Sequence, residues 1–190
     1  ALTEIGQKYL SGNLPSPAKA LIEREAPALV LQNEDEKTSD AAVRVASSMN
    51  GGCLVIQGPP GTGKTYTAAH VINALVDAGK RVGVASNGHK AIINLLIVCG
   101  EAERKAGGTL RGIKVGGEKE DGEALYSENS SFGFGKNAGD AQGQYSGGII
   151  GGTAWLFVRP EWEDQLDYLF IDEAGQVSLA NTIAMSRSAK

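Results

Sequence analysis

The stretch CLVIQGPPGTGKTYTAAHVINAL, Cys53 to Leu75, decides the fold. Its first five residues form a short, continuous apolar run, which predicts a buried parallel strand. Gly58, Gly63, Lys64 and Thr65 then satisfy the spacing G-x-x-x-x-G-K-[ST]. Ala68, Val71, Ile72 and Leu75 repeat at helical spacing, so a helix is expected from Lys64 to Asp77, stopped by Gly79. Strand, glycine loop and helix in that order are what a phosphate-binding loop requires. The glycines let backbone N–H groups turn inward around a phosphate, and the helix N-terminus adds partial positive charge. Gly58, Pro59, Pro60, Gly61, Thr62, Gly63, Lys64 and Thr65, with Tyr66 next to them, are the candidate nucleotide contacts. Lys64 is expected to reach the β- and γ-phosphates, and the Thr65 hydroxyl to reach Mg²⁺.

The same alternation continues outward. RVGVAS, Arg81 to Ser86, reads as a second buried strand, and NGHKAIINLLIVCG after it as a strongly apolar helix. Leu169 to Ile171 reads as a third buried strand, ending in Asp172 and Glu173. Strands alternating with helices predict an α/β fold with a parallel sheet. Such a sheet binds ligands at the C-terminal edge of its strands, where Asp172 and Glu173 fall. Asp172 is the expected Mg²⁺ ligand, and Glu173 the group that polarises an attacking water.

Around this frame the sequence is less regular. Residues 1–26 suggest two short helices broken at Pro15–Pro17, with Ser16 as a cap. Thr38 or Ser39 is expected to cap a helix that Asn50–Gly52 ends. Residues 107–152 hold 14 of the 26 glycines, and SENSSFGFGKNAGDAQGQYSGG within them reads as a mobile loop or small insertion. The 190 residues carry a net charge of −4, so any nucleic-acid contact must rest on a local site and not on a basic surface. No run of 18 apolar residues occurs, so no membrane span is expected, and the first residues are no signal peptide. Cys53 and Cys99 sit in apolar runs and read as buried thiols in a reducing, cytoplasmic setting.

The loop alone does not separate one class of ATP-driven machine from another. Two further features do. Gly58 and Asp172 lie 114 positions apart, and the acids open the box DEAGQ, Asp172 to Gln176. With VASNGHKAIINLL, these residues resemble superfamily 1 helicases of the nonsense-decay, 5′-to-3′ type, over about Gly51 to Gln176. IQGPPGTGKTYTAAHVINAL, GGTAWLF and DYLFIDEAGQVSLAN are similar, more narrowly, to bacterial proteins that join a RecB-like nuclease to such a helicase.

The resemblance implies a RecA-like parallel sheet flanked by helices. Residues 1–50 would be an N-terminal helical segment and 51–190 a partial ATPase domain, with the glycine-rich insertion at about 107–147. It implies ATP and Mg²⁺ at Gly58–Thr65, Asp172 and Glu173, with Gln176 near the γ-phosphate. Ser86, Asn87, His89 and Lys90 match a segment that touches the backbone of single-stranded nucleic acid, DNA more than RNA. Thr153 matches the next such contact. Helix capping is the plain alternative for Ser86 and Asn87, and a helix-start position for Gln176. Trp155 is placed to stack on a base, or equally to fill the core.

The sequence departs from the family in three places. The upstream glutamine that reads adenine is missing from EKTSDAAVRV. The family's inserted subdomain is replaced by the glycine-rich segment. A further central strand and the second RecA-like domain, which the family places after this point, lie outside the chain, as would a nuclease. The expectation is therefore a truncated motor domain that binds nucleotide weakly and does not unwind alone. An AAA+ ATPase or loader, and a non-catalytic nucleotide-binding interaction module, remain as alternatives.

Overall fold

Five four-residue strands alternate their side chains between two faces, and each face is covered by helices. The computed structural model describes residues 2–118, 120, 123–128 and 132–190. Its elements are α1 (Leu2–Leu10), α2 (Ser16–Glu23), α3 (Thr38–Ser48), α4 (Lys64–Asp77), β1 (Val82–Ala85), α5 (His89–Lys105), β2 (Gly112–Val115), α6 (Glu123–Glu128), β3 (Phe132–Gly135), α7 (Ala138–Gln144), β4 (Ile149–Gly152), α8 (Ala154–Phe157), β5 (Tyr168–Ile171) and α9 (Leu179–Ser186). The sheet order is β3-β2-β4-β1-β5, with every pairing parallel. This is the expected α/β architecture, a parallel sheet flanked by helices and consistent with a RecA-like domain.

Period-two alternation divides the core. Val82, Val84, Ile149 and Phe132 face one cluster with Ala42 and Ala46 of α3, Ile72 and Leu75 of α4, Leu95 and Leu96 of α5 and Leu125 of α6. Ala85, Ile113, Val115 and Ile150 face the other, with Ala141 of α7, Leu156 and Phe157 of α8, Trp162 and Met185 of α9. Tyr168 Oη donates to the carbonyl of Ala46 at 3.0 Å, which ties α3 to the edge strand β5. α1 is held to the rest of the molecule by charge: Arg187 bonds both Glu4 and Glu163, and Lys8 bonds Glu163 at 2.9 Å.

Several expectations are corrected. Cys53–Gln57 forms no strand: it joins no ladder among the described residues, and Val55 is 78% exposed. A strand needs a neighbour for its N–H and C=O groups, and β5, at the sheet's edge, pairs among the described residues only with β1. Cys53 is accordingly half-buried, whereas Cys99 is fully buried with its thiol pushed up to about 12; both are free thiols. Residues 107–152 supply β2, α6, β3, α7 and β4, so more than half of the glycine-rich stretch is sheet and helix and not a loop. The parts of that expectation falling on residues 119, 121, 122 and 129–131 lie outside the described residues. Neither Ser16 nor Thr38 is a cap: each is the first helical residue, after Pro15 and Lys37. Pro17 at the start of α2 pre-sets the helical φ without a side-chain cap. No described helix is long and apolar enough to cross a membrane.

Candidate nucleotide and nucleic-acid site

α4 begins at Lys64, directly behind the glycine loop. Gly61 (φ +81°) and Gly63 (φ +80°) take left-handed backbone conformations there, which a side chain would strain. They turn the chain so that the first amides of α4 open toward solvent. Inside the loop, Thr62 Oγ1 donates to the Pro59 carbonyl at 2.8 Å. Lys64 Nζ donates to the carbonyls of Gly58 (2.8 Å) and Pro59 (2.9 Å). The ammonium is thus folded over the loop and solvent-exposed, held only by neutral acceptors that an anion can replace. Tyr66 lies one turn before His70, their ring centroids 4.1 Å apart, on the outside of α4.

The acids come from β5. Parallel pairing sets Ala85 beside Ile171, and the next residue, Asp172, donates its N–H to the Ala85 carbonyl at 2.9 Å. Glu173 then adopts φ +52°, a left-handed conformation that costs a non-glycine residue roughly 1–2 kcal/mol. In that conformation its N–H donates to Asp172 Oδ1 at 2.9 Å, which orients the carboxylate. Glu173 itself is exposed, and a short 3₁₀ turn from Ala174 to Gln176 follows it. The Thr65 hydroxyl and the Asp172 carboxylate are hard oxygen donors, the class that Mg²⁺ takes. Among the described residues no group of three or more His, Cys, Asp or Glu could hold a metal.

The second half of the site adjoins the first. Ser86 and Asn87 follow β1, and the Asn87 side-chain amide donates to the carbonyl of Gln176. Ser86 is buried, and its Oγ has no hydrogen-bond partner among the described residues. No side chain caps α5, so neither Ser86 nor Asn87 serves as its cap. Lys90 is exposed at the start of α5. Thr153 precedes α8 without a side-chain capping bond. Trp155 is 81% exposed, so the core reading of that residue fails.

His89 is placed by residues that the sequence did not single out. Lys114, on β2, is 1% exposed. Its Nζ lies 2.9 Å from His89 Nδ1 and donates to the carbonyls of Val115 (3.1 Å) and Gly116 (2.7 Å). The contact turns the Nδ1 edge of the His89 ring toward Lys114. The ring also lies against the backbone, since a Cβ at Gly117 would stand 2.9 Å from His89 Cγ. The available signal was a lysine within the apolar strand GIKV, just before a Gly-Gly pair.

A protein-family model described as an AAA domain matches residues 33–135, more than half of the chain. The match takes in α3, the Gly58–Thr65 loop, α4, β1, α5, β2 and β3; Asp172, Glu173 and Gln176 lie beyond it.

Proposed function

The chain belongs to the AAA-domain family, a helicase-like family of P-loop nucleotide-binding domains, and on that premise we propose that it is the ATP-hydrolysing motor domain of a helicase or translocase that acts on single-stranded nucleic acid. The observation that carries this reading is the adjacency of two strand ends. Asp172 and Gln176 follow β5, Ser86 and Asn87 follow β1, and the two segments are hydrogen-bonded to each other. In this reading the segment that would contact nucleic acid is hydrogen-bonded to the segment that carries the acids.

Each residue has a role in this scheme. The amides of Gly61 to Thr65 and the start of α4 cradle the phosphates. Lys64 releases the Gly58 and Pro59 carbonyls and moves onto the β- and γ-phosphate oxygens, neutralising charge that grows in the transition state. Thr65 and Asp172 hold Mg²⁺, which supplies further charge neutralisation when bound. Glu173 orients and polarises the attacking water, and Gln176, whose backbone carbonyl accepts from Asn87, would relay γ-phosphate loss to that residue. Ser86, Asn87, His89, Lys90 and Thr153 hold phosphates of the strand without reading bases. DNA is the favoured strand, and a second RecA-like domain closes over the nucleotide to complete the motor. The closer likeness to nuclease-fused bacterial helicases belongs to this proposal too, as does a cytoplasmic setting.

The test is ATP turnover with and without single-stranded DNA or RNA. We expect stimulation by single strands, and loss of turnover in Glu173→Gln with nucleotide binding retained. Turnover indifferent to every single strand sinks the helicase reading, and Glu173→Gln turning over as wild type sinks the catalytic assignment.

A further inference from the structure

Neighbouring strands β1 and β4 send the chain in opposite directions at the C-terminal edge of the sheet. Their register pairs Ala85 with Gly152, so Ser86 and Thr153 leave the sheet side by side. From Ser86 the chain enters α5, which packs on the face formed by Val82, Val84 and Ile149. From Thr153 it enters α8, whose Leu156 and Phe157 pack on the opposite face with Ile150. Where adjacent connections diverge in this way, an open α/β sheet forms a crevice suited to a ligand.

Trp155 lies two residues past Thr153, in the turn of α8 that leaves this edge of the sheet. Leu156 and Phe157 are 4% and 0% exposed, whereas Trp155 beside them is 81% exposed. The other tryptophan, Trp162, is buried at 3% against Tyr145. A four-residue helix that buries two apolar residues and turns its largest ring outward spends no burial on that ring. Around the same strand ends lie groups suited to phosphate: the buried Ser86 hydroxyl, without a partner among the described residues, the exposed Lys90 and the uncapped N-terminus of the 17-residue α5. An aromatic face beside phosphate-binding groups matches one ligand chemistry, a nucleotide strand with its bases unpaired.

We propose that Trp155 is a base-stacking platform, and that it makes this crevice selective for single strands over duplexes. The inference rests on the nucleic-acid reading above and deepens it. Ser86, Asn87 and Lys90 hold the backbone of either form. Only a strand whose bases are free can lay one on the indole, and any base serves because each has a π face.

The test is fluorescence titration of the whole chain with an oligothymidylate, an abasic oligomer of equal length and a blunt duplex. The wild type is expected to show quenching with oligothymidylate alone, and Trp155→Phe to lose that signal while binding within a few-fold of wild type. Trp155→Ala should weaken oligothymidylate binding roughly 5- to 150-fold and leave abasic binding unchanged. Oligothymidylate binding that Trp155→Ala does not weaken overturns the platform and leaves the nucleic-acid reading standing, as does equal quenching by the abasic oligomer. A wild type that binds none of the three overturns both.

Discussion

Asn87 and Gln176 are joined directly: the side-chain amide of one donates to the backbone carbonyl of the other across 89 positions of sequence. The bond closes a bridge between β1 and β5, whose ends already meet through the Asp172 N–H and the Ala85 carbonyl. In the proposed scheme Asn87 belongs to the strand-holding segment and Gln176 to the segment that carries the acids. Asn87→Ala removes the donor, and an exposed hydrogen bond of this kind contributes about 1 kcal/mol. The concentration of single-stranded oligonucleotide giving half-maximal stimulation of ATP turnover should rise about fivefold. A stimulation curve that overlies the wild type denies the bridge any part in coupling.

Lys64 folds over its own loop, on the carbonyls of Gly58 and Pro59. Those acceptors keep the ammonium at the loop until a triphosphate competes for it. Lys64→Ala leaves the glycine geometry in place and removes the cation. Wild type saturated with Mg·ATP at a hundredfold over Kd should gain about 2.7 kcal/mol of stability. The variant should gain almost none, read as a missing rise in melting temperature. An equal rise in both proteins contradicts the assigned role.

How far the sequence reveals this structure depends on whether a feature is local. α4 runs from Lys64 to Asp77 as its periodicity predicts, because the loop before it and Gly79 after it (φ +77°) fix both ends. Cys53–Gln57 has the composition of a strand and is not one, because a strand is a property of a pair and this run has no paired neighbour among the described residues. β2 and β3 escaped notice for a related reason. At Gly112 a Cβ would stand 2.4 Å from the Ile149 carbonyl and 2.7 Å from the Phe132 ring, so the glycine reflects close packing inside the sheet and not a loop. That the glycine loop precedes α4 and the two acids follow β5 was readable from local pattern. The Asn87–Gln176 bond and the placement of His89 by Lys114 join residues 89 and 25 positions apart, and no local pattern encodes them.

Lys114 is a buried lysine whose ammonium holds the ends of two elements, the turn after β2 and the first residue of α5. Lys114→Met keeps most of the volume and deletes all three of these bonds, leaving the Val115 and Gly116 carbonyls without that donor. The cost should be about 1–3 kcal/mol, read as a fall in the denaturant midpoint with an unchanged slope. The His89 ring should also lose its Nδ1 contact, visible as a shift of the ring ¹⁵N resonances. If the midpoint and the ring signals both match wild type, the Lys114–His89 contact is not formed in solution.

The connector before α3 carries the clearest pH-dependent pair. Arg44 Nε and Nη2 grip the two Glu36 carboxylate oxygens at 2.8 and 2.7 Å, and the Asn33 N–H adds a third bond at 2.9 Å. All three favour the charged form, led by Arg44, and hold the Glu36 carboxyl down to about 2 from an ordinary value of 4.5. Because the folded value is the lower one, the pair stabilises the fold fully above about pH 4.5. That contribution is lost as pH falls from there toward 2, where the folded carboxyl finally protonates. The ¹³C shift of the Glu36 carboxyl should therefore titrate near pH 2 in wild type and return toward 4.5 in Arg44→Ala. The acid arm of the stability curve should be shallower in the variant between those limits, and a Glu36 midpoint that Arg44→Ala leaves unmoved would rule the pair out as its cause.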